Sequence, residues 1–146
     1  MKKITLLIST ILFLLYFISC ASTGSEPISY AQKPSTEADI AVAKTIETMI
    51  TAYNEHDIAK HLSCYAPDAK IDSKLTGGVI SKDEYRQILI KRSKLTTIQL
   101  KNTKIIELSP TKYQVDSILS GRNSFNISYE LVPLEGRWVV LEQRYK

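Results

Sequence analysis

The chain has 146 residues, 44% of them hydrophobic, a formal charge of +4 and two cysteines, Cys20 and Cys64. That length suits one domain and excludes two comfortable ones, and two cysteines make no disulfide framework. Lys2 and Lys3 supply part of the charge from a segment expected to be removed, so what remains is near neutral and lacks the basic footprint of a nucleic-acid binder.

Met1-Lys2-Lys3 precedes an apolar run from Ile4 to Ile18, the basic and apolar parts of a secretory signal. The run is shorter than the about 20 apolar residues that a membrane span needs. It ends in Phe17-Ile18-Ser19-Cys20, and a small residue directly before a cysteine at that place resembles the lipobox of bacterial lipoproteins, with Phe17 where Leu is more usual. The resemblance implies removal of residues 1–19 and a lipid-bearing Cys20, which anchors the domain to a bacterial membrane outside the cytoplasm. Acyl chains contribute about 0.8 kcal/mol per buried methylene, so two or three of them hold a protein on a bilayer. Cys64 is then a free thiol. Residues 20–35, small and polar with Pro27 and Pro34 and no period, read as a flexible tether to a domain over 36–146.

Ser35 or Thr36 is placed to cap the helix that follows, with Glu37 and Asp39 at the positive end of its dipole. Val42, Ile46, Met49, Ile50 and Tyr53 recur on one face at the 3.6 period, opposite Lys44, Glu47, Thr48, Thr51 and Glu55. Asn54-Glu55-His56-Asp57 interrupts that pattern. Asp57 can cap a short helix in which Ile58, Leu62 and Tyr65 share a face, and Pro67 ends it. A strand is predicted from Ala69 to Leu75, then a turn at Gly77-Gly78. The third helix opens on a capping box, Ser81 with Glu84, and a hydrophobic staple, Ile80 with Tyr85. Tyr85, Ile88 and Leu89 form its buried stripe; Lys82, Arg86, Lys91 and Lys94 are its solvated face.

From Thr96 the period changes to two. Strands are predicted at Ile98 to Leu108, Tyr113 to Ser120, Phe125 to Val132 and Trp138 to Tyr145, and their short connections make them antiparallel neighbours. The last is apolar on both faces, Trp138 and Val140 one way and Val139 and Leu141 the other. That pattern predicts a covered outer side and a homodimer through the sheet. Helices followed by a long antiparallel sheet make an α+β fold, with the curved sheet wrapped around the first helix.

The helix running into Asp57-Ile58, then Tyr65-Ala66-Pro67-Asp68-Ala69, then Gly136-Arg137-Trp138-Val139-Val140, resembles the nuclear transport factor 2-like superfamily, which includes ketosteroid isomerase and the SnoaL-like polyketide cyclases. The resemblance covers about Thr36 to Tyr145. It implies a cystatin-like cone of sheet with three helices, often hollow and often dimeric. Aligned on Asp57 and Asp68-Ala69, the isomerase's general base falls on Ser73 and its oxyanion-binding tyrosine on Met49, so both groups are missing. Asp72 is one residue from the base position, but strand parity turns it to the other face.

No residue is assigned a catalytic role. Tyr53, Tyr65, Tyr113, Tyr129 and Trp138 point inward, as core or as the lining of a hollow cone, and with His61 and Asp72 they are the candidate ligand-binding set. His61 reads more simply as a helix histidine bonded to a neighbour, and Cys64 as a structural thiol. His56 and His61 are spaced wrongly for a helical metal pair, and no metal or cofactor is expected. The reading is a membrane-anchored lipoprotein whose cone binds a small apolar molecule or an envelope protein without catalysis. The alternative is an isomerase or dehydratase of the SnoaL-like group with relocated acid and base groups, Asp72, His61 and Tyr53 first among them.

Overall fold

The computed structural model describes residues 26–92 and 95–146; the expected signal segment, Cys20 and Lys94 lie outside them. Seven strands and three helices follow in the order β1 (Ile28–Tyr30), α1 (Glu37–Asn54), α2 (Ile58–Ser63), β2 (Tyr65–Ser73), β3 (Gly78–Ser81), α3 (Lys82–Lys91), β4 (Gln99–Ser109), β5 (Lys112–Ser120), β6 (Ser124–Leu134) and β7 (Arg137–Tyr145). The strands form one sheet in the order β1-β4-β5-β6-β7-β2-β3, antiparallel except for β1 with β4 and β2 with β7. The sheet curves around α1, as the α+β reading anticipates.

Helix α1 begins where its sequence says it should. The Thr36 hydroxyl accepts the Asp39 N–H at 3.0 Å and the Asp39 carboxylate accepts the Thr36 N–H at 3.1 Å. Val42, Ile46, Met49 and Ile50 are buried against the sheet. Polar contacts hold the helix along its length. At its middle the Thr45 hydroxyl donates to the Trp138 carbonyl at 3.1 Å. At its C-terminal end the Asn54 amide donates to the Ile98 carbonyl and accepts the Ile98 N–H, each at 2.8 Å. Asp57 caps α2 through the Lys60 N–H at 2.9 Å. The corner between these helices places His56 at φ 62°, a left-handed position costly for a residue with a Cβ. His56 Nε2 accepts the Leu95 N–H at 3.3 Å, which ties the corner to the segment entering β4.

The third helix confirms its capping box: the Ser81 hydroxyl accepts the Glu84 N–H at 3.3 Å while Glu84 accepts the Ser81 N–H at 2.8 Å. Ser81→Ala should therefore lower unfolding stability by about 1 kcal/mol, the usual cost of a lost cap, measured by urea denaturation. An unchanged midpoint would mean that the cap contributes nothing.

Four sequence expectations are corrected. Within the expected tether of residues 20–35, Ile28–Tyr30 form β1, and Ile28 is buried. Three residues are too few to show a period, and the strand exists because β4 offers it a free edge. Second, β2 begins at Tyr65 instead of Ala69 and runs through Pro67, so Tyr65 leaves the α2 face. An irregularity in the β2–β7 pairing between Tyr65 and Lys70 admits the proline, which has no N–H for a ladder. Third, Gly78–Ser81 are a strand paired with β2, where only a turn is expected.

The fourth concerns β7. Leu131 pairs with Val140 and Glu130 with Glu142, so Leu141 is the extra residue of a bulge. Trp138 and Val140 share the inner face with Gln143 and Tyr145, while Glu142 and Arg144 lie on the outer one. Val139 and Val140 are both buried within the single chain. The bulge takes Leu141 out of the alternation, while Val139, on the face opposite Val140, is covered within the single chain. On the outer face the Asp116 carboxylate accepts from Gln114, Ser128 and Lys146 at 2.7–3.0 Å, and Lys112 pairs with Glu130 at 2.9 Å.

Candidate functional site at the mouth of the cone

One end of the cone gathers the β2–β3 turn, the α3–β4 connection, the β5–β6 turn and the last residue of β7. These surround an open recess of about 630 Å³. Its wall carries three cations, Lys74, Arg92 and Arg122, beside the apolar side chains Leu75, Ile98, Leu119, Phe125 and Tyr145. Lys74 Nζ stands 5.0 Å from the Tyr145 ring centroid and 5.7 Å from that of Phe125, where the negative ring faces attract a cation. Among the described residues of this wall there is no carboxylate and no imidazole. The arrangement can hold an apolar body and neutralise one anionic group.

Beneath the mouth lies a layer of aromatic side chains around His61, which is 2% exposed. Asp57 starts α2, and its turn carries His61 inward against α1. His61 Nδ1 lies 2.9 Å from the Met49 carbonyl. A carbonyl only accepts, so Nδ1 carries the proton and Nε2 is left with its lone pair. Among the described residues Nε2 is the one buried side-chain nitrogen or oxygen without a partner. The rings of Tyr53, Tyr65 and Tyr85 stand edge-on to the imidazole, with centroids 5.4, 5.3 and 5.8 Å away. Burial pushes its pKa down to about 4 against the helping bond from Met49, so the ring is neutral at pH 7. Tyr65 donates to Gln143 Oε1 at 2.7 Å, and burial raises its pKa well above the usual phenol value.

The sequence candidates therefore divide. Tyr53, His61 and Tyr65 come together in this layer, joined by Tyr85. Tyr129 is 2% exposed in the core between the two ends. Tyr113 and Trp138 pack edge-on at 5.0 Å away from the mouth. Trp138 lines a second recess of about 470 Å³ with Lys44, Thr48, Cys64 and Arg137. The Asp72 carboxylate accepts the Tyr145 N–H at 3.1 Å, while its neighbours Ile71 and Ser73 are buried. Met49 is fully buried, and the Ser73 hydroxyl accepts the Leu75 N–H at 3.3 Å, so neither position supplies isomerase chemistry. Burial raises the Cys64 thiol pKa, which suits a structural thiol. No three His, Cys, Asp or Glu side chains among the described residues are grouped to hold a metal.

The mouth cations are what sequence reasoning missed. Lys74, Arg92 and Arg122 each sit beside a turn or a helix end, a usual place for a solvated charge. Their only shared signal is that these connections alternate along the chain with connections at the opposite end.

No protein-family model and no curated protein sequence matches the chain. Solved structures do match in shape. One from Nostoc punctiforme, a protein of unknown function with a cystatin-like fold, aligns with TM-score 0.64 at 14% identity over 77% of this chain and 93% of its own. An NTF-2 like protein of unknown function from Shewanella oneidensis aligns with TM-score 0.66 at 14% identity over 74% and 98%. A putative scytalone dehydratase from Novosphingobium aromaticivorans aligns with TM-score 0.60 at 15% identity over 73% and 83%. The chain has the cystatin-like, NTF2-like cone fold. At these identities the likeness concerns the fold, and function is argued from the site.

Proposed function

We propose that the chain is a membrane-anchored lipoprotein of the cell envelope whose cone binds a small, largely apolar molecule bearing one anionic group, without catalysis. One observation carries the reading: the mouth recess combines three cations with apolar side chains and has no carboxylate or imidazole in its described wall. The anchor rests on Ser19-Cys20 after the apolar run, and Cys20→Ala should abolish incorporation of labelled fatty acid. A second reading, a proton-transferring enzyme, draws on the free lone pair of His61 Nε2. That atom meets a ligand only when the tyrosine layer parts.

The test uses residues 26–146, since β1 belongs to the sheet. Anilinonaphthalene sulfonate, an aromatic anion, should bind saturably, and the double variant Lys74→Glu/Arg122→Glu should weaken it by about ten-fold or more, as loss of a charge-assisted hydrogen bond does. A ketosteroid should show no double-bond shift above buffer. Equal affinity in the double variant would remove the binding reading. Turnover that disappears in His61→Phe would promote the enzyme.

A further inference from the structure

The domain is entered at the same end as the mouth recess. The Pro27 carbonyl accepts the Leu100 N–H at 2.9 Å, and Ile28 stands beside Leu100 in the first row of β4. Leu100 pairs with Leu119 and Leu119 with Phe125, so this row runs into the recess wall. Cys20 and Pro27 are seven residues apart. A chain of that length spans at most roughly 25 Å fully extended. By contrast β4 has 11 residues, roughly 35 Å of strand, between the mouth and the opposite turns. An anchor at Cys20 thus keeps the mouth end near the bilayer, and the far end reaches it only if the domain lies on its side.

Charge and apolar exposure agree with that placement. Lys74, Arg92 and Arg122 are grouped in the recess wall, whereas the opposite end mixes Glu37, Glu107 and Glu135 with Lys112 and Arg137. Acidic groups at the mouth end, Glu55 and Asp57 at the helix corner and Asp72 under Tyr145, do not line the recess. Leu75 is 59% exposed on the β2–β3 turn and Phe125 37% exposed near the start of β6. Cations ringed around exposed apolar side chains suit the boundary between lipid headgroups and acyl chains.

We propose that the mouth face docks on an anionic lipid surface, the bilayer in which the Cys20 anchor sits, with Lys74, Arg92 and Arg122 on the headgroups and Leu75 and Phe125 at the interface. The inference rests on the lipoprotein reading above. Its test uses the lipidated chain in vesicles carrying a nitroxide quencher in the bilayer, with a fluorophore placed either at Leu75→Cys or at Thr111→Cys on the far β4–β5 turn. Vesicles with anionic lipid should quench the probe at 75 strongly and the probe at 111 little. Lys74→Glu/Arg122→Glu should lower quenching at 75, since each cation at an anionic surface contributes roughly five-fold in partitioning. Equal quenching at both positions, or no response to lipid charge or to the double variant, would overturn the docking while leaving the anchor intact. Release of the chain from vesicles in high salt would overturn the anchor, and the docking with it.

Discussion

Lowering the pH from 7 to about 4 should remove roughly 3 kcal/mol of folding stability through His61 alone. In the unfolded chain an imidazole takes its proton near the usual 6.5; in the folded chain burial holds it back until about 4. Between those values the unfolded state binds more protons, so stability rises with pH. The contribution is complete above about pH 6.5, declines as the pH falls, and has gone near pH 4. Each pKa unit corresponds to about 1.4 kcal/mol, which gives the magnitude. The measurement is urea denaturation at several pH values for the parent and for His61→Phe, a ring that suits the tyrosine cage but carries no proton site. Carboxylates contribute equally to both proteins, so the difference in slope isolates the imidazole. Parallel slopes would mean that His61 titrates normally and is not held neutral in the cage.

The second large effect is mechanical. Ile46 is fully buried at the middle of α1, where the curved sheet closes over the helix. Ile46→Ala removes three methyl or methylene carbons and leaves a cavity between rigid elements, so the loss should be about 2–5 kcal/mol. Ile40 lies on the same helix with 56% exposure, and Ile40→Ala should stay within about 0.5 kcal/mol. Denaturation of the two variants side by side checks the direction of the helix as well as the magnitude. Similar losses at both positions would contradict the packing of α1 inside the sheet.

Much of this architecture can be read from local signals. The caps at Thr36, Asp57 and Ser81 depend on residues three positions away, and all three helices start where those side chains place them. Tyr113, Val115, Ile127, Tyr129 and Leu131 show the strand period because one face of a middle strand must leave water. Those features are written within a few residues of one another, and the sequence by itself determined them.

What only the tertiary structure decided depends on partners far apart in the chain. β1 is a strand because an edge of β4 lies some seventy residues away, and the Leu141 bulge, which puts Glu142 and Arg144 on the outer face, appears only when β7 is paired with β6. His61 is buried because α1, β2 and α3 converge on it, and no local pattern announces the loss of solvent at its Nε2. Lys74, Arg92 and Arg122 are brought to one recess by closure of the sheet alone. Short-range chemistry sets the helix ends and the strand faces, whereas a shared cavity wall is a property of distances between segments, which a linear order of residues does not contain.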